Sequence, residues 1–274
     1  MNLESKFACV QMTDVGKVRD HNEDAIGASL ATGLLVLADG MGGYNAGEVA
    51  SGIAVKTVLE LVTEACARES RDTPEAETGL MRQSIVLRDA ICRANKVIHQ
   101  TARSQPQCEG MGTTIVACLF YDNRVSIAHV GDSRMYRLRG GRFRQITMDH
   151  SLLQELVDRG FYTPEEAARS TNRNYVTRAL GVEPGVEVSV CELDAEPDDV
   201  YLLCSDGLSD MVEDEDIHLT ISTFGANLDV AGKQLIQLSN DNGGKDNISV
   251  ILAHVLAEFP ARTGLLARIK RLFQ

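Results

Sequence analysis

An α+β fold is predicted by three observations. Segments 46–65 and 80–98 carry apolar residues at helical spacing, the chain after Gly112 changes to short β-rich runs between turn residues, and several apolar runs end on an aspartate beside a glycine.

In chain order, Phe7 to Thr13 has strand composition. The loop after it is crowded with charge: Arg19, Glu23 and Asp24 lie close together before the next apolar segment, with Asp14 upstream. Taken alone it reads equally well as a solvated loop. Leu34 to Ala38 is short, continuous and apolar, as a strand buried on both faces should be, and it runs into Asp39-Gly40-Met41-Gly42-Gly43. Val55, Val58, Leu59, Val62 and Ala65 then mark a helix from Ala46, so this acid sits at a strand end, on a glycine turn before a helix. A phosphate cradle is the rival reading. The stretch lacks the third glycine of G-x-G-x-x-G and no Gly-Lys-Ser/Thr follows, while a carboxylate at its mouth would repel bare phosphate and hold Mg²⁺ or Mn²⁺. Ordinary Asp-Gly turn chemistry is the plainer alternative.

Arg71 to Glu75 is a polar connector with a helix start at Thr73-Pro74. Leu80, Ser84, Leu87, Ile91, Ala94 and Ile98 then mark one face of a second helix. Thr113 to Phe120, Arg124 to Val130, Arg134 to Leu138 and Arg142 to Ile146 are expected to form an antiparallel meander, with His129-Val130-Gly131-Asp132-Ser133-Arg134 inside it. Asp149-His150-Ser151 opens a helix over 152–158, and 161–174 reads as a surface excursion with a helix start at Thr163-Pro164-Glu165-Glu166. Strands are expected at 187–193 and 199–204, the second meeting Ser205-Asp206-Gly207. Helices at 213–222 and 228–238 precede Gly243-Gly244-Lys245-Asp246-Asn247 and a last strand over 248–254.

Composition narrows the function. The chain has 274 residues, 44% of them hydrophobic, so it can bury a core. Its net charge of -12 argues against nucleic acid as main partner. No run approaches the roughly 18 apolar residues that span a bilayer, and the N-terminus carries no basic segment followed by an apolar one, so a cytoplasmic protein, acting as a monomer, is expected. Seven cysteines without a C-x-x-C pair read as reduced, mostly buried thiols. Cys118 to Arg124 has the C-x5-R spacing of cysteine-based phosphatases but no glycines to wrap a phosphate, and Tyr121-Asp122-Asn123-Arg124 reads better as a hairpin turn.

Asp39, Asp132, Asp206 and Asp246 thus stand beside glycines at strand ends, where a β-sandwich can gather them at one edge. An all-oxygen donor set points to hard cations, and two such ions about 3.5–4 Å apart can share a carboxylate and activate water for hydrolysis.

The order of motifs resembles the metal-dependent protein phosphatases, the type 2C family in its bacterial form, from residue 6 to about 257. The motifs are Arg19-x-x-Asn22-Glu23-Asp24, Asp39-Gly40-Met41-Gly42-Gly43, Met111-Gly112-Thr113-Thr114, Gly131-Asp132-Ser133-Arg134, Ser205-Asp206-Gly207 and Asp246-Asn247. The resemblance implies a four-layer α-β-β-α sandwich, two mostly antiparallel sheets flanked by helix pairs, in a domain over 1–257. It implies hydrolysis of phosphoserine and phosphothreonine in proteins by direct attack of water held between two Mn²⁺ or Mg²⁺ ions, with a possible third. In that likeness Asp39 bridges both ions, the Gly40 carbonyl binds one, Asp206 and Asp246 hold the other, and Glu23 acts through water. Arg19 clamps the phosphate, Asp24 orients the attacking water, and Asp132 joins Asp206 at the weaker third site. The implied partners are phosphoproteins, first a eukaryotic-type Ser/Thr kinase and its targets.

Two departures stand out. Met41 occupies the place where animal members carry a histidine proposed as general acid, and no histidine lies in 167–174, where many bacterial relatives have one. His129 and His150 read as structural, as does Thr177 to Gly181. A catalytically silent binding module of the same fold is the alternative function, and its usual mark would be missing metal acids. Beyond the likeness, 258–274 forms a short tail in which Arg262, Arg268, Lys270 and Arg271 accompany an apolar stripe. It reads as a basic amphipathic helix that packs on the domain or docks on an anionic membrane surface or acidic partner.

Overall fold

The computed structural model describes residues 3–43, 46–68, 79–163, 166 and 175–260. The expected helix start at Thr73-Pro74 lies outside the described residues, as do residues 164–165 and 167–174 of the excursion expected over 161–174 and residues 261–274 of the tail expected over 258–274.

Two antiparallel sheets stack face to face. The first comprises β1 (Phe7–Asp14), β11 (Ile248–Val255), β10 (Val200–Cys204), β7 (Arg134–Arg139) and β8 (Arg142–Gln145) in that spatial order. The second comprises β2 (Asp24–Ser29), β3 (Leu34–Met41), β5 (Ile115–Tyr121), β6 (Arg124–Val130) and β9 (Ser189–Asp194), with the short β4 (Gly112–Thr113) on the end of β3. Helices α1 (Ala46–Ala67) and α2 (Arg82–Ser104) cover the second sheet. The first is covered by α5 (Asp214–Phe224) and α6 (Leu228–Asp241); α3 (Leu152–Asp158) and α4 (Asp206–Ser209) are short.

Period-two alternation makes the layers. Leu34, Val36 and Ala38 pack toward α1 and α2 with Ile115, Ala117, Leu87 and Ile91, whereas Leu35 and Leu37 turn into the space between the sheets with Val116, Phe120, Tyr201 and Leu203. A third core joins Leu202, Val250 and Leu252 to Ile217, Ile221 and Leu235 of α5 and α6. Strands buried on both faces explain the unbroken apolar runs, and each large side chain so buried contributes about 1.5–3 kcal/mol against chain entropy. Phe259, two residues past the expected boundary at 257, is buried against Phe7 and Phe120, so the folded core includes it.

The expected meander is not formed. β5 and β6 are a hairpin in one sheet, β7 and β8 a hairpin in the other, and the chain changes sheets at Gly131-Asp132-Ser133. Gly131 has φ +104°, and a Cβ there would lie 2.6 Å from the side chain of Thr114. Alternation along β6 orients side chains but does not say which sheet takes the next strand. The β5–β6 turn is the one expected, with Asp122 and Asn123 both left-handed as a type I′ turn requires.

Strand β2 carries little strand signal in its sequence. It is an edge strand in which a Cβ on Gly27 would meet Leu59 Cδ1 at 2.7 Å, so the close crossing of α1 removes the bulky residues that signal a strand. Ser151 caps α3, its Oγ accepting from Gln154 N at 3.2 Å. Thr163 and Glu166 exchange the reciprocal hydrogen bonds of a capping box, as their spacing predicts.

Candidate metal centre

The strand register brings acids together. β2 pairs with β3 so that Asp24 stands directly opposite Asp39, which is unfavourable for like charges unless a shared proton or a cation intervenes. Asp206 leads off after β10, Asp246 precedes β11 and Asp132 occupies the crossover between sheets, so the two sheets deliver carboxylates to one end of the sandwich.

Close backbone contacts hold these ends. A Cβ on Gly40 would lie 2.2 Å from the Gly47 carbonyl oxygen, and one on Gly207 would lie 2.0 Å from that of Asn247. The Thr113 hydroxyl donates to the Asp39 carbonyl at 2.8 Å, Asp39 N donates to Thr114 Oγ1 at 3.1 Å, and the Thr114 and Ser133 hydroxyls meet at 2.7 Å. Asn247 ties its loop to the 15–23 loop at three points: its amide donates to the carbonyls of Val15 (3.0 Å) and His21 (2.9 Å), and its Oδ1 accepts from Glu23 N (2.8 Å). The Ser205 hydroxyl donates to Asp24 Oδ2 at 2.8 Å.

Electrostatically the centre is overloaded with negative charge. Burial, then Asp24, Asp206, Asp132 and Asp246, push the Asp39 carboxyl well above the ordinary carboxylate range. Burial, followed by Asp132, Asp210, Asp246 and Asp24, does the same to Asp206. Burial raises Asp24 to about 7 and Asp132 to about 6. Burial also raises Glu23, opposed by a hydrogen bond from Gly47 N–H at the start of α1. The buried Oδ1 atoms of Asp24 and Asp206 have no hydrogen-bond partner.

Unpartnered, mutually repelling oxygens are the donor set that a hard divalent cation satisfies, and the residues fit one. Among the described residues no three His, Cys, Asp or Glu side chains already close around one point. Arg19 accounts for part of that: its Nη2 donates to Asp246 Oδ2 at 2.6 Å, and Asp246 Oδ1 accepts from Asn247 N at 2.9 Å.

A pH prediction follows for the metal-free protein. Unfolded aspartates titrate near the ordinary 3.8, whereas folded Asp132 and Asp24 keep protons to about 6 and about 7, so the unfolded state binds fewer protons across that window. In chelator, stability should fall as pH rises from about 4 to about 7. Urea melts at several pH values in EDTA measure this, and a flat or rising profile would refute the repulsion.

Asp24, Asp39, Asp132, Asp206 and Asp246 therefore act on one another electrostatically, with the Glu23 side chain beside Gly47 of α1 and Arg19 on Asp246. Asp210 was overlooked; it bears on both Asp132 and Asp206 and follows Asp206 by four residues, a helical spacing that could have flagged it. Met41 supplies no proton donor and lies against Gly112. His129 and His150 are structural: their rings stack at 4.6 Å, His129 Nε2 meets the Met148 carbonyl at 2.8 Å, and His150 Nδ1 accepts from Gly131 N at 3.1 Å. Burial pushes His150 down to about 4. Cys118 is fully buried between the sheets, and burial pushes its thiol far up, which removes it as a nucleophile.

The family model for protein phosphatase 2C matches residues 17–252. The chain is 42% identical over 246 residues to the serine/threonine protein phosphatase PstP of Mycobacterium tuberculosis, covering 89% of this chain but 44% of that protein. It is 40% identical over 246 residues to the serine/threonine phosphatase stp of Listeria welshimeri, covering 88% of this chain and 92% of that one. In three dimensions it is similar to the catalytic domain of PstP in complex with two manganese ions, with a TM-score of 0.77 and 38% identity over 92% of this chain and 99% of that one.

Proposed function

The chain belongs to the protein phosphatase 2C family, and on that premise we propose that it is a protein-serine/threonine phosphatase that uses Mn²⁺ or Mg²⁺. The observation that carries this reading is the convergence of Asp24, Asp39, Asp132 and Asp206 at one end of both sheets, with two buried carboxylate oxygens left without a hydrogen bond.

In this reading Asp39, the Gly40 carbonyl, Asp206 and Asp246, with Glu23 acting through water, would hold two ions, and Asp132 with Asp206 would offer a weaker third position. Bound cations supply charge neutralisation at phosphorus and lower the pKa of water for attack. The chain's own groups do the rest. Arg19, half-exposed on Asp246, can turn its guanidinium to a substrate phosphate, for which its planar fork of donors is suited. Asp24, fixed by Ser205, orients the incoming water in line with the leaving seryl or threonyl oxygen. With methionine at 41, the leaving oxygen takes its proton from water at the site.

The substrates are proposed to be phosphoproteins, among them a eukaryotic-type Ser/Thr kinase and its targets, handled by a domain spanning the folded core. A silent binding module would have no use for so costly a set of buried acids. Turnover of a phosphoserine peptide and of p-nitrophenyl phosphate with Mn²⁺ and with EDTA tests the proposal, and full activity in EDTA would overturn it.

Arg19→Ala should raise KM more than it lowers kcat, because the clamp binds phosphate in ground and transition state alike. Charge-assisted hydrogen bonds of about 1.5–3 kcal/mol set the scale, roughly tenfold to a hundredfold in kcat/KM. An unchanged KM would remove Arg19 from this role.

A further inference from the structure

The β7–β8 hairpin carries four arginines on one face. Tight pairing through Gly140 and Gly141, both at positive φ, sets Arg137 opposite Arg144 and Arg139 opposite Arg142. The other face is spent on packing: Tyr136 stacks on Phe143 at 4.8 Å, and Phe143 on His218 of α5 at 5.6 Å. Arg139 is held by Asp199, with Nε to Oδ1 at 2.6 Å, and by Glu196 at 2.7 Å. Arg142 and Arg144 are exposed and Arg137 half-exposed, and among the described residues none of the three has an acidic partner.

Charges on an edge strand discourage unwanted pairing, and β8 is an edge. Either sign serves that purpose, however, and a mixture serves it without cost. Here Arg137 and Arg144 face each other with no acid on either, which is unfavourable in isolation, and Arg142 lies opposite an Arg139 whose charge Asp199 and Glu196 already take up, in a chain of net charge -12 with acids to spare. The arrangement is relieved when something anionic lies along the hairpin.

Position suggests what that is. β7 starts two residues after Asp132 and runs away from it, so Arg137 stands five residues along the strand, about 16 Å at a strand's rise per residue. Resting on the phosphatase reading, we propose that this arginine face docks an acidic stretch of the phosphoprotein substrate, separated by about five extended residues from the phosphoresidue at the metal centre. The excess negative charge of the whole chain disfavours a nucleic acid as occupant.

The test uses the full chain with Mn²⁺ and two phosphoserine peptides that differ only in a glutamate or a glutamine run at that separation, tried on either side of the phosphoserine. The wild type should prefer the glutamate peptide, less so as salt is added. Arg142→Ala with Arg144→Ala should lower kcat/KM for that peptide about tenfold, through KM, two lost contacts setting the scale. The glutamine peptide and p-nitrophenyl phosphate, too short to reach the hairpin, should be hydrolysed as before, which also shows the variant to be folded. Equal use of both peptides by the wild type, or a preference that survives in the variant, would overturn the proposal. So would loss of RNA or anionic-vesicle binding in the variant without any change in peptide use. Failure of the wild type to hydrolyse p-nitrophenyl phosphate would instead count against the phosphatase reading; fluorescence anisotropy with the unphosphorylated glutamate peptide then still decides docking by itself.

Discussion

Asp206→Ala should abolish Mn²⁺-dependent turnover and, in the same preparation, raise the melting temperature measured in EDTA. Both follow from one carboxylate. Its Oδ1 is buried without a hydrogen-bond partner, and its charge is opposed by burial and by Asp132, Asp210, Asp246 and Asp24. Without a cation, removing it relieves the folded state of a repulsive group. A relief of about 1–2 kcal/mol corresponds to a rise of a few degrees in a domain of this size. With Mn²⁺ in excess the order should reverse, because the wild type gains the free energy of ion binding and the variant loses a donor. Differential scanning calorimetry with and without metal reads both signs. A variant less stable than wild type in EDTA would mean that Asp206 is held by protein contacts, and the metal assignment would fall with it.

Gly207→Ala should be severely damaging although it touches none of the acids themselves. Its Cβ would stand 2.0 Å from the Asn247 carbonyl oxygen and 3.5 Å from the Asp246 carbonyl carbon, both backbone atoms that no rotamer change can move aside. The loops bearing Asp206 and Asp246 must separate. We expect a loss of about 3 kcal/mol or more, the upper range for overpacking, with turnover reduced at least as severely as by Arg19→Ala. Urea denaturation together with turnover at saturating Mn²⁺ checks this. Wild-type stability would show that the two loops have slack.

The layers were legible because strands such as Leu34 to Ala38 and helices such as 82–104 state their burial in residue spacing. The acids were legible because glycines follow or precede them at strand ends, a local mark of close backbone approach. What spacing could not reveal was partnership between distant segments. Nothing around Gly131 says that the chain leaves one sheet for the other, since alternation is the same whichever sheet receives the next strand. Gly27 hides β2, because the packing of Leu59 that demands glycine there lies thirty-two positions away in sequence. The Arg19–Asp246 pair joins residues 227 positions apart, and no local pattern predicts it.

The pairing of β1 with β11, Phe7 against Val255 through Asp14 against Ile248, has a consequence for how the protein comes into being. The segment with Arg19, Glu23 and Asp24 leaves β1 near the very strand that follows Asp246, so residues near position 20 wait for residues near position 250 before the centre can close. A nascent chain that stops short of β11 would carry all the acids, yet it would lack the strand that joins β1 to β10 and seats the Asp246 loop. Closure of the centre is thereby deferred until β11 has been made, and a topology so rich in distant pairings should fold slowly for its size.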